Sequence, residues 1–205
     1  MNTSPKPQRQ NNEERKQQLL EIALDLFSVN GYDGTTTKAI ALKAGVTEAL
    51  VFHHFNSKID LFHQVLKEYG IQRMHVTQVL NWDALPFDEL IETLLVTYLD
   101  TLWKNRSAVK LMVDASLHDP VALNDLKSLD ERPRQRLKML LMFGASKGEI
   151  SPLNTDVSAD IIAASLGGFF FKRLRAEPDN WELERSEFVH HLIQLLLPGL
   201  KSGPM

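Results

Sequence analysis

Thr47, Glu48, Ala49, Phe52 and His53 put a hydroxyl, a carboxylate, a methyl, an aromatic ring and an imidazole on the outer side of one short stretch of helical spacing. Groups of this kind can read nucleic-acid base edges: hydroxyl and imidazole donate or accept, a carboxylate accepts from cytosine N4, and small apolar groups meet thymine methyls. Catalytic chemistry has no comparable set. The chain holds no GxSxG, GxxxxGK[ST] or HExxH, and it has no Cys to act as nucleophile or ligand. The neighbouring pairs His53-His54 and His190-His191 point about 100° apart on a helix, so neither can hold one ion from one face. Asp114 and His118, four apart, suit a polar pair on a helix surface. The expectation is no catalytic residue, no metal and no cofactor.

The stretch Thr36 to Lys58 has the punctuation needed to hold the five residues in place. Ile40, Ala41 and Ala44 fall at helical spacing, and Gly45 follows where a left-handed cap would end a helix. Val46 can bury in the turn, and Thr47 can cap a second helix, in which Leu50, Val51 and Phe55 pack inward. This spacing predicts a helix-turn-helix, whose second helix presents its outer N-terminal turns to the major groove. Thr36 suits a cap or a phosphate contact, while Lys38 and Lys58 suit backbone phosphates, which position without specifying.

The words GYDGTT (Gly31 to Thr36), Ile40-Ala41, Ala44-Gly45-Val46-Thr47 and Phe52-His53-His54-Phe55-Asn56-Ser57-Lys58 resemble the TetR family of transcriptional regulators, in order and spacing, over roughly residues 13 to 66. The resemblance implies a regulator that binds a palindromic operator as a homodimer, most of its relatives being repressors, and is released by a small molecule. Glu48 departs from the Lys, Arg or small polar residue frequent there, and Phe52 stands where most relatives carry Tyr. A carboxylate at that place repels phosphate unless it accepts from cytosine N4.

The chain as a whole is 43% hydrophobic and 24% charged with net charge −3, the composition of a soluble globular protein. Up to Lys58 there are seven basic and six acidic residues, so the acidic excess lies in the remainder. Residues 1 to about 11 are polar, rich in Pro, Gln and Asn, and read as a tail in which Lys6 and Arg9 could touch phosphates, not as a signal peptide. The longest apolar run, Ile161 to Phe171, is well short of the roughly 20 residues of a membrane span. No membrane partner is expected, and a cytoplasmic location is.

Periodicity predicts an all-α chain of about nine helices. Leu19, Ile22, Ala23, Leu26 and Phe27 make one stripe that Asn30-Gly31 stops. Ser57 and Asp60 form a capping box opening a helix at Lys58 that could run to about Leu80. Helices follow at about Phe87 to Lys104, Ser107 to Leu117, Val121 to Lys147 with Pro133 dividing or kinking it, Val157 to Leu174, and Leu183 to Leu197 ending before Pro198-Gly199. The domains expected are 12–57 for DNA binding and 58–200 for effector binding and dimerisation.

A small hydrophobic effector would draw its lining from Phe62, Leu66, Tyr69, Tyr98, Trp103, Met112, Met139, Met142 and Phe143. Leu195 to Leu197 in a row cannot all face one core. A two-fold pair of the last two helices would bury the excess, with Ile162, Leu166, Phe169, Phe170, Leu192 and Leu196 at the contact. The rival to a DNA-binding regulator is a helical ligand-binding or scaffold protein that has lost DNA binding, motivated by Glu48, Phe52 and the negative charge.

Overall fold

The computed structural model describes residues 12–69, 82–117, 119–151, 155–176 and 180–202. Among these there are nine helices and no strand: α1 (Asn12–Gly34), α2 (Thr37–Ala44), α3 (Glu48–His54), α4 (Lys58–Tyr69), α5 (Phe87–Lys104), α6 (Arg106–Ala115), α7 (Pro120–Ser146), α8 (Thr155–Ala176) and α9 (Trp181–Ser202). None of them is long and apolar enough to cross a membrane.

In α1 the stripe buries Leu19, Leu20, Ala23 and Phe27. Regular helical geometry breaks at Gly31, whose φ of 72° lies in the left-handed region that glycine enters without a Cβ clash. One further turn follows to Gly34, and the buried Thr35 hydroxyl seals it, 3.0 Å from the Leu26 carbonyl and 2.9 Å from that of Gly31. Phe27, Tyr32 and Phe62 then pack ring against ring, with centroids 5.0 to 5.9 Å apart, and lock α1 to α4. The Gln17 amide adds a 2.8 Å hydrogen bond to the Tyr69 hydroxyl.

The remaining helices build the larger part of the molecule around α5, which packs on α8 and α9, while α7 packs on α8 and α6. Leu90, Ile91, Leu95 and Leu99 of α5 are fully enclosed. A single apolar core continues from Leu19 to Leu200, because α1 and α4 dock on α6. Surface ion pairs of α7 with α8, Arg134 to Asp160 and Lys138 to Asp156, add little beside this burial.

Two expectations about proline are corrected. Helix α7 runs as one element through Pro133, because the single lost backbone bond is outweighed by a helix that buries Leu137, Leu140 and Leu141 against its neighbours. Helix α9 does not stop before Pro198 but continues to Ser202. Its last turn is held from outside: Ser151 N–H donates to the Leu200 carbonyl at 2.7 Å, and Lys201 pairs with Asp88 at 2.8 Å. The expected extension of α4 toward Leu80, the contacts of Lys6 and Arg9, and the partner His118 lie outside the described residues.

Candidate nucleic-acid interface

Helices α2 and α3 meet at a turn made by local chemistry. The Thr36 hydroxyl accepts from Ala39 N–H at 3.1 Å and opens α2. Gly45, with φ 66°, closes it, and its N–H and that of Val46 satisfy the orphan carbonyls of Leu42 and Ala41. The Thr47 hydroxyl accepts from Leu50 N–H at 3.3 Å and opens α3. Ile40, Ala41, Ala44, Val51 and Phe55 are buried beneath the pair, which fixes the angle between the two helices.

That packing leaves Thr36, Lys38, Thr47, Ala49, Phe52 and His53 exposed together. Phe52 keeps 48% of its surface accessible, a large value for a ring in a structured domain. Glu48 is half-buried, and its carboxylate accepts from the Thr37 hydroxyl of α2 at 2.5 Å. Lys58 is also half-buried, its ammonium 4.1 Å from the centroid of the Tyr32 ring. Burial holds His54 below the ordinary histidine value, with His53 and Lys16 adding to the effect, so it brings less positive charge to this end of α3.

Helix α4 starts just after α3 ends. Ser57 accepts from Asp60 N–H at 3.1 Å, and the Asp60 carboxylate reaches back to Asn56 N–H at 2.8 Å, one residue beyond the usual box. Chiefly that backbone bond, and then the Gln64 amide, hold the Asp60 carboxyl below its ordinary range. Further along α4, His63 Nε2 meets Asp119 Oδ2 at 2.8 Å. The other Asp119 oxygen accepts from Ala122 N–H at 3.1 Å and opens α7. One carboxylate thus joins the helix leaving α3 to the first turn of α7.

A partly open cavity of about 240 Å³ lies between α5, α6, α7 and α8, lined by Tyr98, Leu102, Val109, Leu126, Ala163, Gly167, Phe170 and Phe171. Of the nine residues the sequence suggests for an effector lining, only Tyr98 is on this wall. The other eight lie elsewhere. Phe62, Leu66 and Met112 are core. Tyr69 faces α1, Trp103 stacks on Trp181 at 4.4 Å, and Phe143 packs on Trp82. Met139 and Met142 point to solvent. Apolar periodicity does not tell core from cavity wall, since both demand the same residue types. Gly167 and Ala163 could have pointed to the space, because small residues on a helix leave room beside larger ones.

The residues expected at a partner contact differ among themselves in exposure. Ile162, Leu166 and Phe170 are buried within the single chain, so no second chain can touch them, and Phe169 is stacked on Phe188 at 4.1 Å. Leu192 and Leu196 are half-buried. Among the residues α8 leaves exposed, Val157, Ile161, Ala164, Gly168 and Phe171 make one stripe at steps of three and four. On α9 Leu195 is 80% exposed.

Residues 19–65 match the sequence profile described as bacterial regulatory proteins, tetR family. An uncharacterised helix-turn-helix-type transcriptional regulator of Bacillus subtilis (strain 168), YvkB, is 26% identical over 188 residues, 90% of this chain and 96% of that one. Another, TtgW of Pseudomonas putida, is 31% identical over 94 residues, covering 46% of this chain and 67% of its own length. The crystal structure of a bacterial regulatory protein in the tetR family from Rhodococcus RHA1 superposes with a TM-score of 0.68 at 15% identity, over 91% of this chain and 97% of that one. At that identity the likeness is one of fold.

Proposed function

The chain belongs to the TetR family of bacterial transcriptional regulators, and from that premise we propose a cytoplasmic, homodimeric repressor that binds a palindromic operator through α2 and α3 and is released by a small uncharged effector. The division of labour is 12–57 for DNA and 58–200 for effector and dimer contact. One observation carries the reading: two short helices, each opened by a threonine side chain, expose Thr47, Ala49, Phe52 and His53 on one outer surface beside Thr36 and Lys38. A helix presented in this way fits the major groove, and Lys38 can meet phosphate at its edge. Lys58, whose ammonium lies on the Tyr32 ring, stands at the start of α4 as a second candidate for a phosphate contact.

The second copy covers the exposed stripe of α8 and Leu195 of α9, an apolar surface that a monomer would leave in water. The cavity selects the effector. An apolar cavity of about 150 Å³ takes benzene, so one of about 240 Å³ suits an uncharged molecule of roughly bicyclic size. Among the described residues no charged side chain lines it, and burying an ion there would cost several kcal/mol. Leu126 of that wall lies on α7, whose first turn Asp119 ties to His63 of α4. Displacement of α7 would therefore move α4 and the spacing of two recognition helices that must match about 34 Å of DNA.

Retardation of duplex DNA from upstream of its own gene, with unrelated duplex as competitor, tests the reading. A shifted band that the competitor does not remove is expected. Failure to retard that DNA, with a compound still raising the melting temperature, would favour a helical ligand-binding protein without DNA activity, for which the engaged carboxylate of Glu48 is the motive.

A further inference from the structure

We propose that Thr37 and Glu48 act as one reading unit that selects cytosine at a single position of each operator half-site, Thr37 as the positioning residue and Glu48 as the group that touches the base. The inference rests on the DNA-binding reading above and goes beyond it by naming the base and the residue that aims its reader. Glu48 is the only acidic residue of α2 and α3, and a free carboxylate beside phosphates would be repelled. Here it is not free to swing. Its Oε1 accepts from the Thr37 hydroxyl at 2.5 Å, across the turn between the two helices, and both residues are half-buried.

With one oxygen engaged by Thr37, the second oxygen, Oε2, has no partner among the described residues. It is an acceptor on a half-buried residue that stands between the exposed Thr47 and Ala49 at the start of α3. In the major groove, guanine offers only N7 and O6 and thymine offers O4, all acceptors that would oppose a carboxylate. Cytosine offers the N4 amino group and no acceptor at that edge, which makes it the base that a lone fixed carboxylate favours. Adenine has an amino group as well but sets N7 beside it. The hydroxyl of Thr37 does two things for this choice: it draws charge from the carboxylate, easing its approach to DNA, and it removes the rotamers that could reach a different base pair.

Selection of bound sequences from a randomised duplex pool tests the unit, using the full-length chain and four variants. The native chain should enrich cytosine at one symmetric position in each half-site, and replacing that base should weaken binding by about 5- to 100-fold per half-site. Glu48→Gln should move the preference to adenine, which an amide reads through N6 and N7. Glu48→Ala should erase the preference at that position and leave the others. Thr37→Val, of the same shape without the hydroxyl, should blur the cytosine preference while Thr37→Ser restores it, a pattern that a packing role for Thr37 would not give. If the native chain selects a palindrome and Glu48→Ala leaves every position unchanged, the pair is a structural tie only and the inference is overturned while the DNA-binding reading stands. If no sequence is selected, both fall together.

Discussion

Helices α2 and α3 and the larger helical body are built by different means. From Thr36 to Lys58 every helix end is written by a residue within four positions of it: Thr36 to Ala39, Gly45 to Leu42, Thr47 to Leu50, Ser57 to Asp60. In the body, local caps such as Asp119 at the start of α7 are joined by ties from far away. Ser151 holds Leu200, Glu149 accepts from Phe87 N–H at 2.9 Å, and Asp100 receives both the Trp181 indole N–H and Arg185. Local caps fix α2 and α3 through residues close in sequence. Distant ties place the helices of the body through residues remote in sequence.

The largest test of this contrast is at the surface of the body. Ile161→Asp with Leu195→Asp puts charge on two exposed positions, so the chain should stay folded with an unchanged circular dichroism spectrum. It should nonetheless become monomeric by light scattering and lose about 100-fold or more in operator affinity, because the two half-sites would no longer be linked. A variant that unfolds, or one that stays dimeric, would break the assignment of that stripe.

Packing inside the body should show the next largest effect. A Cβ at Gly144 would stand 2.5 Å from Phe87 Cδ2 and 2.6 Å from Cε2, and Phe87 is fully enclosed. Gly144→Ala should therefore cost about 1 to 3 kcal/mol by urea unfolding, more than the helix gains from losing a glycine. Gly167→Ala, where nothing lies within 4 Å, should stabilise by about 0.5 to 1 kcal/mol and narrow the cavity. Equal effects at the two sites would contradict the close approach of α7 to α5.

The smallest effect belongs to the join between α3 and α4. The Asp60 carboxyl titrates below its ordinary 3.8 when folded, so the unfolded chain takes up the proton first. Its contribution is complete above that ordinary value and fades as pH falls through the lower folded one. Asp60→Asn should destabilise by about 0.5 to 1 kcal/mol at pH 7, and the gap from the native chain should close below about pH 4. Guanidinium midpoints across pH 3 to 7 measure it, and a gap that widens in acid would reverse the assignment.

The same contrast explains what could be read in advance. Gly45, Thr47 and Ser57 declare their roles through neighbours in sequence, so the motif, the order of helices and the bounds of α5 were legible. Asp119 was not, because its second partner, His63, is 56 residues away. Phe170 reads as a partner contact since an apolar helix face looks the same whether α5 or another chain covers it. Pro198 reads as a stop because the contacts holding the last turn, from Ser151 and Asp88, come from elsewhere in the chain. Thr37 could have been found: a hydroxyl at the first position of α2 faces the first residue of α3 whenever the turn between them is this short.

Fluorescence anisotropy of a labelled palindromic duplex, titrated with the native chain and with Lys38→Ala at several salt concentrations, tests the central claim most directly. Two chains should bind each duplex, at least about 10³-fold tighter than they bind random duplex. The salt slope should fall by roughly one for each lost phosphate contact, hence by about two in the Lys38→Ala dimer. Binding that is equally tight to random duplex, or a slope that Lys38→Ala leaves unchanged, would contradict it.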